Sequence, residues 1–173
     1  MIINTGARTD IPAFFSTWFL NRIRAGFVFV RNPYNRKQIT RYALTPDVVD
    51  CLIFCTKNPG PILPGLHELD AFSSYWFVTI TPYGQDIEPN VPPVDQVISS
   101  FRQLSQQIGP HRLCWRYDPI FINGHYSFER HVEDFRRMAR ELSGHTNECV
   151  ISFIDLYEKT RRNFPGIREV NAE

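Results

Sequence analysis

Six short apolar runs, over residues 2–5, 27–31, 51–55, 75–81, 113–117 and 150–154, begin 25, 24, 24, 38 and 37 residues apart. A strand, a crossover and the next parallel strand make a unit of about 30 or more residues, so this spacing predicts strands in parallel, each joined to the next by a crossover. The repetition is one of form, since the runs share no common sequence.

Between several runs the apolar period changes to that of a helix. In PVDQVISSFRQLSQQIG, Val94, Val97, Ile98, Phe101, Leu104 and Ile108 trace one face, and Gly109-Pro110 stops it. SFERHVEDFRRMARELSG does the same with Phe128, Val132, Phe135, Met138, Ala139 and Leu142, opened by Ser127 as N-cap and closed by Gly144. A third helix is expected over 11–25, with Asp10 as N-cap, Pro12 in the first turn and Gly26 as the stop. NPYN at 32–35 reads as a turn between FVFVR and QITRYAL, giving a hairpin before a short helix at 46–49. Pro59, Pro61 and Pro64 limit any helix before Asp70 to a couple of turns over 63–69. The polar stretch after Tyr157 starts as a helix and frays.

Strands alternating with helices specify an α/β protein with a mainly parallel sheet and its helices outside. A closed eight-unit barrel takes about 250 residues. At 173 residues about six units fit, which predicts an incomplete TIM-like (β/α) barrel of about six parallel strands with outer helices. Residues 1–164 form one domain in this reading, and 165–173 a polar tail.

Nineteen basic against eighteen acidic residues leave no global field to draw in nucleic acid or an anionic membrane. No apolar stretch approaches the ~20 residues that cross a bilayer. The start MIINTGARTD lacks the charged beginning and apolar centre of a secretion signal. A cytoplasmic protein is expected. Cysteines stand at 51, 55, 114 and 149. Four residues along a strand span roughly 13 Å, so Cys51 and Cys55 are too far apart for one disulfide or one zinc. Free thiols follow. The histidines, at 67, 111, 125, 131 and 145, show no spacing suited to a shared metal.

In parallel α/β folds the loops at the carboxyl ends of the strands converge on one face and carry the site. Those ends are rich in charge here: Arg8 and Asp10 after the first run, Arg31 after the second, Lys57 and Asn58 after the third, Tyr83 after the fourth, Arg116, Tyr117 and Asp118 at the fifth, and Asp155 after the sixth. Such a set suits an anion. Arg8, Lys57 and Arg116 would clamp it, with Arg31 and Asn58 beside them and Tyr83 and Tyr117 lining the pocket. Asp118 and Asp155 would orient the cations or move protons, and Lys57, near other cations, would serve as a base. Asp10 has the helix cap as an alternative role, and Arg116 with Asp118 a plain structural ion pair.

ARTDIPAF, VRNP, CTKNP, TPYG, GP-x-R-x-x-WRYDPI and CVISFIDLY, in this order, resemble an uncharacterised bacterial family, number 1848 among the domains of unknown function, over residues 1 to about 164. Longer members continue into a cysteine-rich part similar to the iron–sulfur site of radical S-adenosylmethionine enzymes such as spore photoproduct lyase. The resemblance implies a partial barrel and, in those longer relatives, S-adenosylmethionine, a 4Fe–4S cluster and radical chemistry on a nucleic-acid or other anionic substrate. Here the pattern departs: Cys51 and Cys55 begin C-x-x-x-C-x-x-C, but Asn58 stands in the third thiolate's place, so no cofactor is expected in this chain. It is read as a short member or a piece of a longer protein.

The leading expectation is therefore an enzyme-derived barrel that binds a phosphate-bearing or other anionic ligand. The alternatives are a non-catalytic nucleic-acid-binding module and a metal-dependent hydrolase built on Asp10, Asp118 and Asp155. Uncovered strand edges also invite a second copy of the chain.

Overall fold

The computed structural model describes residues 1–155, 157, 158 and 162. The expected tail at 165–173 lies outside them, as does most of the helix expected after Tyr157. The described residues form an α/β protein with a five-stranded parallel sheet and outer helices. The sheet contains β1 (Ile2–Asn4), β4 (Cys51–Thr56), β5 (Ser74–Thr79), β6 (Leu113–Ile120) and β7 (Glu148–Phe153), and its strand order is β1-β4-β5-β6-β7. The chain divides within β5 into two compact units, Met1–Phe77 and Val78–Glu173.

Five of the six expected strands stand in that sheet. The remaining run, β2 (Phe27–Arg31), pairs antiparallel with β3 (Ile39–Ala43) in a separate two-stranded sheet, the hairpin expected around the NPYN turn, and so does not supply a sixth parallel strand. The NPYN turn returns the chain after seven residues, and so short a loop closes at far less entropic cost than a distant pairing. The spacing of β2 thus matched a crossover unit that its own neighbour pre-empted.

In the first unit β1 lies parallel to β4 with Ile2 opposite Cys51 and Asn4 opposite Ile53. Leu52, Phe54 and Thr56 of β4 are buried, and the alternate residues are half-buried, as expected of a strand covered on both faces. Phe54 stacks on Trp76 with ring centroids 3.9 Å apart and takes the edge of Phe19 at 5.5 Å. The helix expected over 11–25 is two helices, α1 (Ile11–Phe14) and α2 (Ser16–Ala25), broken at Phe15 with φ −133° and ψ 23°. Nothing in the local sequence marks the break. α2 buries Phe19 and Leu20 and ends at Gly26 in the left-handed conformation, φ 72°. The expected helix at 46–49 is a single turn in which Val48 and Val49 donate to the Thr45 carbonyl at 3.0 Å. The proline-rich stretch Gly60–Leu69 is a 3₁₀ helix. A side chain at Gly65 would sit 2.4 Å from Leu20 Cδ1, so the bare backbone here is what lets this segment lie against α2.

In the second unit α3 (Val94–Ile108) and α4 (Phe128–Leu142) occupy the expected residues. α3 buries Val97, Ile98, Phe101 and Leu104. Ser127 caps α4 by accepting from Arg130 N. Trp115 of β6 stacks on Phe135 of α4 at 4.9 Å, while its indole N–H donates to the Ile80 carbonyl at 3.0 Å. β6 pairs parallel with β7 and continues through Pro119 to Ile120, with the register shifting between Tyr117 and Ile120. Proline cannot donate a ladder bond, so a strand that passes through one does so at an irregularity of this kind. The Asp118–Pro119 peptide is cis.

Candidate functional site

The first unit holds Arg8, Asp10, Arg31, Lys57 and Asn58. β1 ends close over β4: a Cβ on Gly6 would approach Cys55 Cβ to 2.7 Å. The chain then turns into α1, where both oxygens of Asp10 are used. Oδ1 accepts from Ala13 N at 3.0 Å as the helix cap, and Oδ2 accepts from Lys57 N at 2.8 Å. One carboxylate therefore pins the start of α1 to the end of β4. Asn58 organises the next turn, its N–H donating to Thr56 Oγ1 at 2.9 Å and its Oδ1 accepting from Gly60 N at 3.1 Å. Arg8 Nη2 donates to the Arg31 carbonyl at 2.9 Å, which ties the Arg8 side chain to the main chain where β2 leaves for the hairpin. Both arginines are exposed. Among the described residues neither forms an ion pair.

The second unit holds Tyr83, Arg116, Tyr117, Asp118 and Asp155. Arg116 and Asp118, two apart on β6, project from the same face and form an ion pair; the other oxygen of Asp118 accepts from the Ser152 hydroxyl of β7. Asp155 follows β7 and accepts from the Tyr157 hydroxyl at 3.1 Å. The two tyrosines expected to line a pocket are buried. Tyr83 OH donates to the Pro119 carbonyl at 2.7 Å and accepts from Phe121 N at 3.2 Å. Tyr126 returns the arrangement, accepting from Gly84 N at 3.0 Å and donating to Asp86 Oδ1 at 3.1 Å. Tyr83 and Tyr126 thus strap residues 83–86 to 119–126 from both sides.

Tyr117 OH lies 2.7 Å from His131 Nδ1, and His131 Nε2 lies 2.9 Å from the Phe121 carbonyl. A carbonyl only accepts, so Nε2 carries the proton, and Nδ1 accepts from Tyr117; the assignment follows from the partners. Burial raises the pKa of Tyr83, Tyr117 and Tyr126 above the ordinary phenol value in each case. These hydroxyls are held as hydrogen-bond donors, not as bases. Sequence reasoning missed His131 and Tyr126. His131 falls three residues after Phe128 and four before Phe135, on the apolar face of α4, and that position was the signal for a buried, hydrogen-bonded ring.

The donor set does not fit an iron–sulfur cluster. Cys51 and Cys55 sit four residues apart along β4, a span of roughly 13 Å. All four cysteines are free thiols. Among the described residues no three His, Cys, Asp or Glu side chains are gathered as they would be around a metal ion.

The family model described as Domain of unknown function (DUF1848) matches residues 2–173. The chain belongs to the DUF1848 family. No curated protein and no solved structure matches it. For this DUF1848 chain the strand-end residues divide by chemistry. The first unit holds two exposed arginines, a half-buried lysine and a carboxylate committed to main-chain amides. In the second, Arg116 and Asp118 form an ion pair, and Tyr83 and Tyr117 are buried hydrogen-bonding groups.

Proposed function

We propose that this protein binds a phosphate-bearing or other anionic small molecule at the strand ends of its Met1–Phe77 unit. The observation that carries the reading is the hydrogen bond from Arg8 to the Arg31 carbonyl. It ties the exposed Arg8 side chain to the main chain at the end of β2, where Arg31 is also exposed, and Asp10, the acid at these strand ends, spends both oxygens on Ala13 N and Lys57 N. Exposed arginines without a carboxylate partner favour an anion with several oxygens. Lys57 and Asn58, at the end of β4 that Asp10 holds, are the further ligand groups in this reading. Because Asp10 occupies the Ala13 amide at the start of α1, the side chains and not the helix start hold the ligand.

The parallel sheet with outer helices supports the finer reading of an incomplete (β/α) barrel; kinship with radical S-adenosylmethionine proteins and a place in the cytoplasm are part of the same proposal. A hydrolase built on Asp10, Asp118 and Asp155 is disfavoured by the amides that hold the first and by the arginine and serine that hold the second.

Pyrophosphate serves as the probe. Thermal unfolding with pyrophosphate at one hundred times its dissociation constant should show a stabilisation of about 2.7 kcal/mol, and Arg8→Gln should remove most of it. A pyrophosphate response equally large in Arg8→Gln would sink the proposal.

A further inference from the structure

We infer that the β2–β3 hairpin is a docking surface for single-stranded nucleic acid. Residues 27–46 hold Arg31, Arg36, Lys37 and Arg41 and none of the chain's eighteen acidic residues. In a protein of net charge +1 such a segregated patch supplies a local field that the global balance conceals.

The hairpin also carries ring faces in the positions a nucleic-acid strand would use. Opposed residues of an antiparallel pair share a face, so Phe27, Phe29 and Arg31 of β2 lie on the same face as Ile39, Arg41 and Ala43 of β3, with Phe29 opposite Arg41 and Arg31 opposite Ile39. Phe29 is 61% exposed and Ile39 55%. Arg41 lies over the Phe27 ring at 4.5 Å, and Phe27 meets Phe29 edge to face at 5.3 Å. Aromatic faces interleaved with guanidinium groups, left to solvent, are the elements by which proteins hold unpaired bases and their phosphates.

The tip is built, not loose. Asn32 Oδ1 accepts from Tyr34 N at 2.9 Å and Asn35 N at 3.3 Å, while Asn32 Nδ2 donates to Gln38 Oε1 at 2.8 Å. Asn35 Oδ1 accepts from Lys37 N at 3.2 Å, and Gln38 N donates to the Asn35 carbonyl at 3.0 Å. These bonds use the polar side chains of the loop and leave Tyr34, 98% exposed, standing clear beside Arg36 and Lys37. A fully presented tyrosine on an ordered, cationic turn suits a base that stacks on it. The tip sequence NPYNRKQ offers no aliphatic or tryptophan wedge of the kind that enters a bilayer, and it commits the surface to nucleic acid over an anionic membrane. Exposed stacking rings select unpaired bases over duplex.

The inference stands apart from the strand-end site. Only Arg31 is common to both, so the test leaves it unchanged. Fluorescence anisotropy of a labelled oligodeoxythymidine with the full chain should show binding at low salt. With about four phosphates engaged, log affinity should fall with log salt at a slope of about −3. Tyr34→Ala should weaken binding about tenfold at unchanged slope. Arg36→Ala with Lys37→Ala should reduce the slope by about 1.4. These side chains are exposed, and circular dichroism of each variant should match the parent. Tyr34→Ala should leave the pyrophosphate stabilisation intact, which separates failure here from failure of the pyrophosphate site. The inference is overturned by absence of binding at low salt, by equal affinity in the hairpin variants, by a preference for duplex, or by phosphatidylserine vesicles binding while the oligonucleotide fails to compete.

Discussion

The side chain of Tyr117 shows how little a residue's type reveals of its duty. At the sequence level it stands between an arginine and an aspartate and reads as part of a polar strand end. In the folded protein it points inward, bonded to a histidine fourteen residues away. Asp10 was more legible, because a cap is announced by the helix that follows it. Its second bond, to Lys57 N, spans 47 residues, and no local pattern encodes a contact so distant. Removal of the Tyr117 hydroxyl strands His131 Nδ1 in the interior, so Tyr117→Phe should cost about 1–3 kcal/mol, read as a lowered urea midpoint at pH 7. The same variant reports on alkaline behaviour. The folded pKa of Tyr117 is raised by burial above the unfolded value near 10. The folded state therefore keeps a proton that the unfolded chain has lost, and stability is full below about pH 10 and falls as pH rises through and beyond it. With one such phenol removed, stability should fall less steeply above pH 10 in Tyr117→Phe than in the parent; identical slopes would contradict this account of the site.

The elements were read well where one physical rule decided them. α3 and α4 have uninterrupted apolar faces and explicit stops, and they occupy the expected residues. Five strands followed from run length and spacing. β2 did not join them: spacing alone matched it to a crossover unit, while the NPYN turn correctly announced the hairpin that it forms with β3. The division at Phe15 had no sequence counterpart at all. β7 poses a different problem at this scale. It lies at the end of the strand order, and Val150, Ile151 and Phe153 are 41%, 58% and 48% exposed. An apolar terminal strand is a template for another chain. Sedimentation velocity across a range of concentrations should show self-association, and Ile151→Lys should abolish it. A parent protein that stays monomeric throughout would show that β7 does not recruit a second copy.

For the molecule as a whole, the class of fold and the family were legible in the sequence, and so was the acid-free run at 27–46, but not which surface that run would form. A sum near zero does not report where the signs are gathered, which is a property of register and turn geometry. The acid-free hairpin makes that difference measurable on a chromatography column. With a sequence pI of about 7.7, the protein carries net negative charge at pH 8.5, and its average charge predicts passage through a sulfonate resin. A bead, however, meets one face at a time. The chain should be retained at low salt at that pH, and the Arg36→Ala, Lys37→Ala variant should emerge in the flow-through. Coelution of the two would mean that the resin senses only the average. Retention would mean that the protein adsorbs to charged surfaces in a preferred orientation, hairpin first.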